Sequence, residues 1–525
     1  MKESNTARIC VPVCEERATE LREAMARAAQ CADLVELRLD YLQGDELFKA
    51  LRSLPALISA SARPVIVTLR PVEQGGQREM DNLTRTIFWV EHFLYGKPHV
   101  DFADMELDLA LLFQQRERAE GRALLNWDRV ICSHHDFTGV PGDLCAIYER
   151  MAATPARVLK VAMLALDATD CLPIFQLLER ARREGREMIA VAMGEPGIAT
   201  RILAPARGGF LTYGALEDER ASAPGQITAA ELLNLYRLPK LDERTEVMGL
   251  VGSTISHSLS PQMHNAAFDA SNLNAVYIPF AVKNLEAFIE RMVHPRTREL
   301  AWKLRGLSVT APHKSAVMKH LDWVEPQALE IGAVNTVTVE GDELRGYNTD
   351  AAALIEPLRK RGLNLRGAPC AIIGAGGAAR SALWGLQREE ARVTIFARNV
   401  KKARPVAEKF GAACANLEGA SCDGFELVIN ATPLGTFGVS EDETAVRADG
   451  LRGARLAYDL VYNPVETLFL REAQRAGCET LGGLEMLVAQ AAEQFKLWTG
   501  QAAPLDVMHD AAMMGLDELK TRAGN

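Results

Sequence analysis

The chain has 525 residues, of which 48% are hydrophobic and 24% are charged, a composition typical of a globular protein with two or three domains. Its net charge of −10 argues against nucleic acid or an anionic membrane as the main partner. No apolar run reaches the roughly 18 residues that would predict a transmembrane helix. Since the charge and the apolar runs favour neither nucleic acid nor a membrane, we expect small-molecule partners.

The N-terminal segment enters a predicted strand almost at once, which leaves no room for a signal or transit peptide. The ten cysteines are scattered without a Cys-x-x-Cys pair, and several, such as Cys10, Cys132 and Cys370, lie in apolar runs. This pattern predicts reduced core residues rather than a disulfide or zinc framework. We therefore expect a cytoplasmic protein without a metal site.

Short apolar runs recur about every 25 to 30 residues through the first half of the chain. They lie at Arg8–Val13, Leu34–Leu39, Val65–Leu69, Val100–Leu107, Val130–Ser133, Val158–Met163, Met188–Met193 and Phe210–Tyr213. Amphipathic stretches such as Glu16–Cys31 and Cys171–Glu184 separate most of them. Eight strands alternating with helices predict a (β/α)8 TIM barrel, whose active site lies at the C-terminal ends of the strands.

A single lysine, Lys160, interrupts the sixth apolar run. Burying an ammonium group is costly, so a buried lysine either pairs with a carboxylate or loses its proton. In the second case it becomes a nucleophilic amine that can form an imine with a ketone. The residues alone leave both alternatives open.

Polar residues also lie at the ends of other predicted strands. The period of two places Glu36, Arg38 and Asp40 on one face of the second strand. The further polar groups are Arg70, the run Ser133–Asp136, Arg201 and the segment Ala221–Gln226. Arginine binds carboxylates and histidine transfers protons near neutral pH. Each group alone could be a structural ion pair, but together they indicate an active site at the barrel mouth.

Over roughly residues 6–236 the chain resembles type I 3-dehydroquinate dehydratase. The matching segments are Glu36–Asp40, Thr68–Arg70 with Gly75-Gly76, His135–Phe137, Leu159–Val161, Met193-Gly194 with Arg201, and Ser222–Gln226. The resemblance implies that Lys160 forms an imine with the ring ketone of dehydroquinate, that His135 is the general acid and base, and that Glu36 orients His135 or assists its proton transfers. The implied substrate-binding residues are Arg38, Arg70, Arg201, Ser222 and Gln226.

One position departs from this family. Its members usually carry a glutamate four residues after the arginine of the third strand, and here that position is Gln74, with Glu73 beside it. A shifted loop could restore the carboxylate, or Gln74 could serve as a neutral hydrogen-bonding partner.

The polar, proline-containing residues 237–246 predict a short connector, after which a new α/β pattern begins at Met248. Further on, Pro369–Arg380 predicts a strand, a glycine turn and a helix start, with glycines that let the backbone approach a pyrophosphate. The next strand, Val393–Ala397, is followed by Arg398-Asn399 and by Lys401-Lys402. Basic residues there favour NADP, whose 2′-phosphate they accommodate. The alternative is a basic helix start on a solvated face.

From about residue 247 to about residue 520 the chain resembles shikimate dehydrogenase. The shared segments are Ser256–Pro261, Ser308–Lys314, Gly332–Thr336, Gly346–Asp350, Asn430–Pro433, Tyr458–Pro464 and Gly483–Gln490. The resemblance implies that Lys314 and Asp350 form the catalytic pair for reduction of dehydroshikimate. The implied substrate-binding residues are Ser258, Ser260, Thr310, Asn335, Tyr462 and Gln490. The expected cofactor-binding residues are Gly374, Ala375, Gly376, Gly377, Ala378, Ala397, Arg398, Asn399, Lys402, Thr432, Leu460 and Gly483.

Both halves in this order resemble the bifunctional dehydroquinate dehydratase–shikimate dehydrogenases known from plants. The resemblance implies a dehydratase barrel over residues 1–238 and a substrate-binding lobe over 247–352, completed by about 484–525. A Rossmann lobe that binds NADP would occupy 366–483. Ser260 and Thr310 favour shikimate over quinate as the substrate of the second half. Two alternatives remain: a chain with one active domain, in which Gln74 makes the dehydratase the inactive one, and a non-catalytic metabolite sensor.

Overall fold

The computed structural model describes residues 7–93, 100–217, 222–253, 255 and 258–524. Residues 1–6, on which the expected absence of a leader rests, lie outside the described residues, as do Ala221, Ser256 and His257 of the predicted site segments. Within those ranges no helix is long and apolar enough to cross a membrane. The chain divides into two compact units, of which the first holds residues up to Glu246 with Ile278–Met292 and Arg298–Lys303, and the second holds the remainder.

The first unit contains an eight-stranded sheet in which successive strands are neighbours and β1 also pairs with β8. The strands are β1 (Ile9–Val13), β2 (Leu34–Arg38), β3 (Val65–Thr68), β4 (Phe102–Glu106), β5 (Val130–Asp136), β6 (Val158–Leu164), β7 (Glu187–Met193) and β8 (Thr212–Tyr213). Just before β8, the amide of Phe210 donates to the carbonyl of Met188 at 2.8 Å and nearly closes the ring. The predicted barrel is thus confirmed.

Helices follow the first seven strands, as a barrel requires. They are α1 (Leu21–Ala28), α2 (Glu46–Ala60), α3 (Asn82–Phe93), α4 (Leu107–Glu120), α5 (Leu144–Ala152), α6 (Cys171–Arg183) and α7 (Ile198–Leu203). After β8 the chain forms the π-helical turn Glu231–Leu235.

The barrel interior is layered because side chains alternate along each strand. One layer is apolar and belongs to a buried cluster that includes Cys10, Leu34, Ile66, Phe102, Ile131, Val158 and Ile189. Two residues further along the strands the layer is polar and buried, with Glu36, Thr68, Asp104, Ser133 and Lys160. The next layer holds Arg38, Glu106 and His135, all buried as well. The apolar layer supports the polar ones from below.

Several strand boundaries differ from those that the apolar runs predicted. Strand β5 was expected to end at Ser133, but it continues in register with β6 as far as the pair Asp136–Met163. His135 therefore lies on a strand rather than in a loop, because backbone pairing with β6 continues beneath polar side chains. The fourth predicted run is shorter than expected, since Leu107 begins α4.

After the barrel the chain forms a second, six-stranded sheet in the order β10-β9-β11-β13-β14-β12. Its strands are β9 (Glu246–Gly252), β10 (Ala275–Ala281), β11 (Lys303–Val309), β12 (Trp323–Val324), β13 (Thr336–Glu340) and β14 (Glu343–Tyr347). The helices in this stretch are α8 (Ser260–Ala270), α9 (Leu285–Phe288), α10 (Pro326–Ile331) and α11 (Asp350–Lys360). Asp350 is the first residue of α11, so the sheet-to-helix transition places it at a helix N-terminus.

A third sheet has the order β17-β16-β15-β18-β19-β20, and all of its pairs are parallel. Its strands are β15 (Pro369–Ile373), β16 (Arg392–Ala397), β17 (Ala413–Asn416), β18 (Leu427–Asn430), β19 (Leu456–Asp459) and β20 (Glu479–Leu481). The helices are α12 (Gly377–Arg388), α13 (Val400–Lys409), α14 (Ala448–Leu451), α15 (Leu468–Arg475), α16 (Leu484–Thr499) and α17 (Leu505–Gly524). This 3-2-1-4-5-6 order confirms the Rossmann lobe, with the switch point between β15 and β18.

Candidate active sites

Lys160 is the third of the seven residues of β6 and lies in a buried, polar setting. Its Nζ is 2.7 Å from Oδ2 of Asp104 and 2.9 Å from the hydroxyl of Tyr213. Glu36 lies further away, with Oε1 at 3.8 Å from Nζ, and it accepts a hydrogen bond from Thr68 Oγ1 at 2.6 Å. Of the two states that the sequence left open, the structure shows the paired lysine. The amine must transfer a proton before it can attack a carbonyl.

Arg70 joins Asp104 to the next layer of the barrel. Its Nη2 is 2.8 Å from Asp104 Oδ2, and its Nη1 is 3.2 Å from Glu106 Oε1. Burial opposes the ionisation of Asp104, but Arg70 and Lys160 outweigh it and hold the pKa of that carboxyl far below its usual value. Glu106 has weaker compensation, and burial raises its pKa to about 7. Arg70 is therefore fixed by two carboxylates.

His135 is held through its Nδ1, which lies 3.2 Å from Nη1 of Arg70. Arginine can only donate, so Nδ1 accepts and the neutral ring carries its proton on Nε2. Burial, together with the positive charges of Arg70 and Lys160, lowers the pKa of His135 well below its usual value. Gln74 lies in the same site, where its Oε1 accepts from the backbone N–H of His135 at 2.9 Å. Gln74 thus anchors the main chain of His135.

Two buried donors in this region lack a partner among the described residues. Arg201 is 1% exposed; its Nη2 donates to the carbonyl of Pro224 at 3.2 Å, but its Nε has no acceptor. Burial alone lowers the pKa of Arg201 to about 10. Gln226 accepts from Ser222 through Oε1, whereas its Nε2 is buried without an acceptor. Unpaired buried donors of this kind fit an anionic, oxygen-rich ligand.

A cavity of about 50 Å³ collects the predicted residues of the first half. The side chains around it include Glu36, Arg38, Arg70, His135, Lys160, Arg201, Ser222 and Gln226. Arg38 differs from Arg201 because it is already bound to both oxygens of Asp40, at 3.0 and 2.8 Å. Among the three predicted substrate arginines, Arg201 is the one that lacks a carboxylate partner in the described part of the chain.

The second site is built around Lys314 and Asp350. Lys314 Nζ lies 2.6 Å from Asp350 Oδ2, and Asn335 Nδ2 donates to Asp350 Oδ1 at 2.7 Å. Asn335 also accepts from the backbone N–H of Thr349 at 2.9 Å, so its side-chain orientation is fixed. The pair is therefore a charged donor held in place by an oriented carboxylate, which suits protonation of a developing alkoxide.

A large cavity of about 780 Å³ surrounds this pair. It is lined by fourteen of the predicted residues, namely Ser258, Ser260, Thr310, Lys314, Asn335, Asp350, Gly376, Gly377, Ala378, Thr432, Leu460, Tyr462, Gly483 and Gln490. Ser258 donates to Ser260 at 3.2 Å, and the hydroxyl-bearing Tyr462 lines the same cavity. These hydroxyl groups line one part of the cavity, and the glycine turn that opens α12 lines another.

The remaining predicted cofactor residues lie outside the lining of this cavity. Gly374 and Ala375 belong to the turn after β15, and Gly374 has a φ of +105°, a conformation that side chains disfavour. Ala397 ends β16, and Arg398 follows it as an exposed residue. The side chain of Asn399 caps α13 by accepting from the backbone N–H of Lys402 at 3.1 Å.

Comparison with known proteins gives a consistent result along the chain. The model of type I 3-dehydroquinase matches residues 9–243, and that of the shikimate dehydrogenase substrate binding domain matches 250–337. A putative NAD(P)-binding model matches 362–436, and the shikimate 5′-dehydrogenase C-terminal domain matches 483–513. The chloroplastic bifunctional 3-dehydroquinate dehydratase/shikimate dehydrogenase of Arabidopsis thaliana is 34% identical over 527 residues, covering 96% of this chain and 84% of that relative.

The chain belongs to the bifunctional 3-dehydroquinate dehydratase/shikimate dehydrogenase family. The resemblance of both halves is thereby confirmed. The second half of this family member is also similar to the NADP(+) shikimate dehydrogenase of Methanothermobacter thermautotrophicus, at 40% identity over 51% of this chain and 96% of that relative. A solved shikimate 5-dehydrogenase of Thermus thermophilus, in complex with NADP(H) and shikimate, is 36% identical, covers 52% of this chain and 100% of its own, and has a TM-score of 0.44.

Sequence reasoning missed three residues of the dehydratase half, Asp104, Glu106 and Tyr213. Asp104 and Glu106 lie two apart on β4, so both face the barrel interior with Phe102. The same alternation drew attention to Glu36 and Arg38 on β2, and it could have identified the pair on β4. The fourth run was instead interpreted only as an apolar strand.

Arg201 provides a direct test of the unpaired donor. We expect Arg201→Met to raise the KM for dehydroquinate about 10- to 100-fold, because a charged hydrogen bond contributes about 1.5–3 kcal/mol. The melting temperature should stay the same or rise, since a buried cation without a carboxylate partner is removed. Steady-state kinetics and thermal unfolding measure the two effects.

The matched control is Arg70→Met, which removes an arginine that is bound to Asp104 and Glu106. It should lower the free energy of unfolding by about 3–5 kcal/mol, because Asp104 and Glu106 each lose one of their two buried cationic partners. Equal loss of stability in both variants would contradict the distinction between the two arginines.

Gly377 tests the contact between the glycine turn and Lys314. A Cβ at Gly377 would lie 3.1 Å from Cδ of Lys314, whereas a Cβ at Gly376 would meet nothing within 4 Å. We expect Gly377→Ala to lower kcat for dehydroshikimate reduction about 3- to 10-fold by displacing Lys314. Gly376→Ala should act on the KM for NADPH instead. Unchanged kcat in Gly377→Ala would show that Lys314 tolerates the methyl group.

Proposed function

We propose that this chain catalyses two consecutive reactions of the shikimate pathway. The barrel dehydrates 3-dehydroquinate to 3-dehydroshikimate, and the second half reduces that product to shikimate with NADPH. The observation that supports this best is the meeting of Lys160, His135 and the unpaired Arg201 in one buried cavity. These groups are, respectively, an imine former, a proton carrier and a carboxylate binder.

In the first reaction, Lys160 attacks the ring ketone after losing a proton, and the ketone oxygen leaves as water to give an iminium ion. His135 then removes a proton from the adjacent carbon, and the iminium accepts the electron pair. The ring hydroxyl leaves as water with a proton from His135, and hydrolysis of the imine releases dehydroshikimate. The net change is the loss of one water molecule.

Asp104 stabilises the cation in this reaction. Its carboxylate already lies 2.7 Å from Lys160 Nζ, and its lowered pKa keeps it charged throughout. The iminium carries its positive charge on the same nitrogen as the ammonium, so the surroundings need little rearrangement. His135 acts as the base through the lone pair of Nδ1, which accepts from Arg70 Nη1 in this structure and takes the proton once the substrate displaces that contact.

In the second reaction, bound NADPH would supply a hydride for the ketone carbon, and the residues around Lys314 would handle the charge on the ketone oxygen. The ammonium of Lys314 stabilises the charge that develops on the oxygen and donates the proton. Asp350 keeps Lys314 in position, and Asn335 in turn keeps Asp350 in position. Ser258, Ser260 and Tyr462 bind the substrate carboxylate through their hydroxyl groups, while Thr310 and Gln490 contact the ring hydroxyls.

The residues present fit NADP. Gly376 and Gly377 open α12 without side chains, so a pyrophosphate can approach the N–H groups at this helix N-terminus. The exposed Arg398 and Lys402 flank the position of a ribose 2′-phosphate after β16. The proposed division is a dehydratase over residues 1–238, a substrate-binding lobe over 247–352 with about 484–525, and an NADP-binding lobe over 366–483.

Two alanine variants test the division of labour. Lys160→Ala should reduce dehydration to background and leave the NADP-dependent oxidation of shikimate intact. Lys314→Ala should lower that oxidation by about 10³-fold and leave dehydration intact, a loss in the range of general acid–base catalysis. The absorbance of dehydroshikimate and of NADPH follows the two reactions. Loss of both activities in either folded variant would contradict the proposal.

The pH dependence of dehydration tests the state of His135. Its pKa lies well below 6.5, so the neutral, base-competent ring persists when the pH falls through 6.5. We therefore expect the acid limb of kcat/KM for dehydroquinate below pH 6.5. Glu106, with a pKa of about 7, changes charge in a nearby range, and Glu106→Gln separates the two groups. An acid limb at or above pH 6.5 that persists in Glu106→Gln would contradict the assignment.

A further inference from the structure

A buried carboxylate outside the proposed catalytic set lies at the end of β19. Asp459 is 0% exposed and accepts three hydrogen bonds from neutral donors. Asn430 Nδ2 and the backbone N–H of Val461 donate to its Oδ1, at 2.9 and 3.0 Å. The hydroxyl of Thr467 donates to its Oδ2 at 2.5 Å. These hydrogen bonds offset only part of the cost of burying the charge. Burial therefore raises the pKa of Asp459 to about 6.

The first of these contacts leads to the cavity through the end of β18. Asn430 donates to Asp459 through its amide nitrogen and accepts through Oδ1 from Thr432. The two Thr432 donors are its backbone N–H at 3.1 Å and its hydroxyl at 2.7 Å. Thr432 lines the large cavity. Asp459 therefore fixes the turn that carries Thr432.

The second contact leads to the cavity through the turn after β19. Val461 lies between Leu460 and Tyr462, and all three line the cavity. A Cβ on Gly483 would lie 2.6 Å from the carbonyl oxygen of Leu460, so this turn has little room to shift. Asp459 fixes this turn by accepting the hydrogen bond from the backbone N–H of Val461.

The third contact ties both turns to a helix. The hydroxyl of Thr467 caps α15 by accepting from the backbone N–H of Leu470 at 3.2 Å, while it donates to Asp459. A carboxylate is the one side chain of this size that accepts on both oxygens. An asparagine could keep the two contacts of Oδ1 but would present an NH2 group to Thr467.

We propose that Asp459 is a positioning residue for the reduction, which sets the spacing of the turns 430–434 and 459–463 around the bound nicotinamide and substrate. This rests on the proposed reduction of dehydroshikimate with NADPH. Hydride transfer depends steeply on the distance and orientation of donor and acceptor, so a shift in either turn slows the chemical step. Asp459 acts through Thr432, Val461 and Tyr462 rather than by touching the reacting atoms.

The test compares Asp459→Ala with Asp459→Asn in the full chain. Asp459→Ala should lower kcat/KM for NADPH at least about tenfold and raise the KM for NADPH. The deuterium isotope effect on kcat with 4-deuterated NADPH should also increase, since hydride transfer becomes rate-limiting. Asp459→Asn should restore most of the lost kcat/KM, because the contacts with Asn430 and Val461 survive. The dehydratase activity of the same molecules measures the amount of intact protein.

Three outcomes separate the possibilities. Equal kcat losses in both variants, with an unchanged KM and isotope effect, would show a merely structural role and overturn the inference. If Asp459→Ala does not fold, Asn430→Ala removes the link between Asp459 and Thr432, together with the 3.4 Å contact to the Leu434 carbonyl, and keeps the Val461 and Thr467 contacts of Asp459. It should give a smaller rise in the KM for NADPH, and an unchanged KM there would overturn the inference. Absence of NADPH oxidation by the unmodified chain with dehydroshikimate would instead contradict the proposed function itself.

Discussion

Lys160 and Asp104 meet inside a barrel, beside a layer of apolar side chains, and the other charges of the dehydratase site follow from this contact. A buried ammonium needs an anion, and a buried carboxylate needs more positive charge than one lysine supplies. Arg70 provides that charge and brings Glu106 with it. The same guanidinium then determines which nitrogen of His135 carries the proton. One ion pair thus explains the placement of three other groups, Arg70, Glu106 and His135.

The two halves place their proposed reactive lysines in different surroundings. Lys160 lies among several charges that remain balanced because ammonium and iminium carry the same charge. Lys314 is 19% exposed at its side chain and has one carboxylate partner, Asp350, oriented by Asn335. A partly exposed lysine can regain a proton from water after donating it, which suits an acid. The buried Lys160 suits the proposed imine, because the surroundings that hold its ammonium need little change to hold an iminium cation.

Local patterns in the sequence predicted the elements well, because alternation of apolar runs and glycine turns depends on neighbours along the chain. The barrel, the Rossmann lobe and the turn at Gly374–Gly377 are of this kind. The ionic partners depend on residues that are distant in the chain: Asp104 and Lys160 are 56 residues apart. For the same reason Arg70, expected to hold substrate, is found bound to carboxylates, and the unpaired state of Arg201 could be learned only from the structure.

The most direct test of this account is to trap the imine. Treatment of the protein with dehydroquinate and borohydride, followed by peptide mass spectrometry, should place a reduced substrate or product adduct on Lys160. The adduct should be absent without dehydroquinate and should not form on Lys314. An active dehydratase that yields no adduct at Lys160, or one at another lysine, would contradict the central role of the Lys160–Asp104 pair.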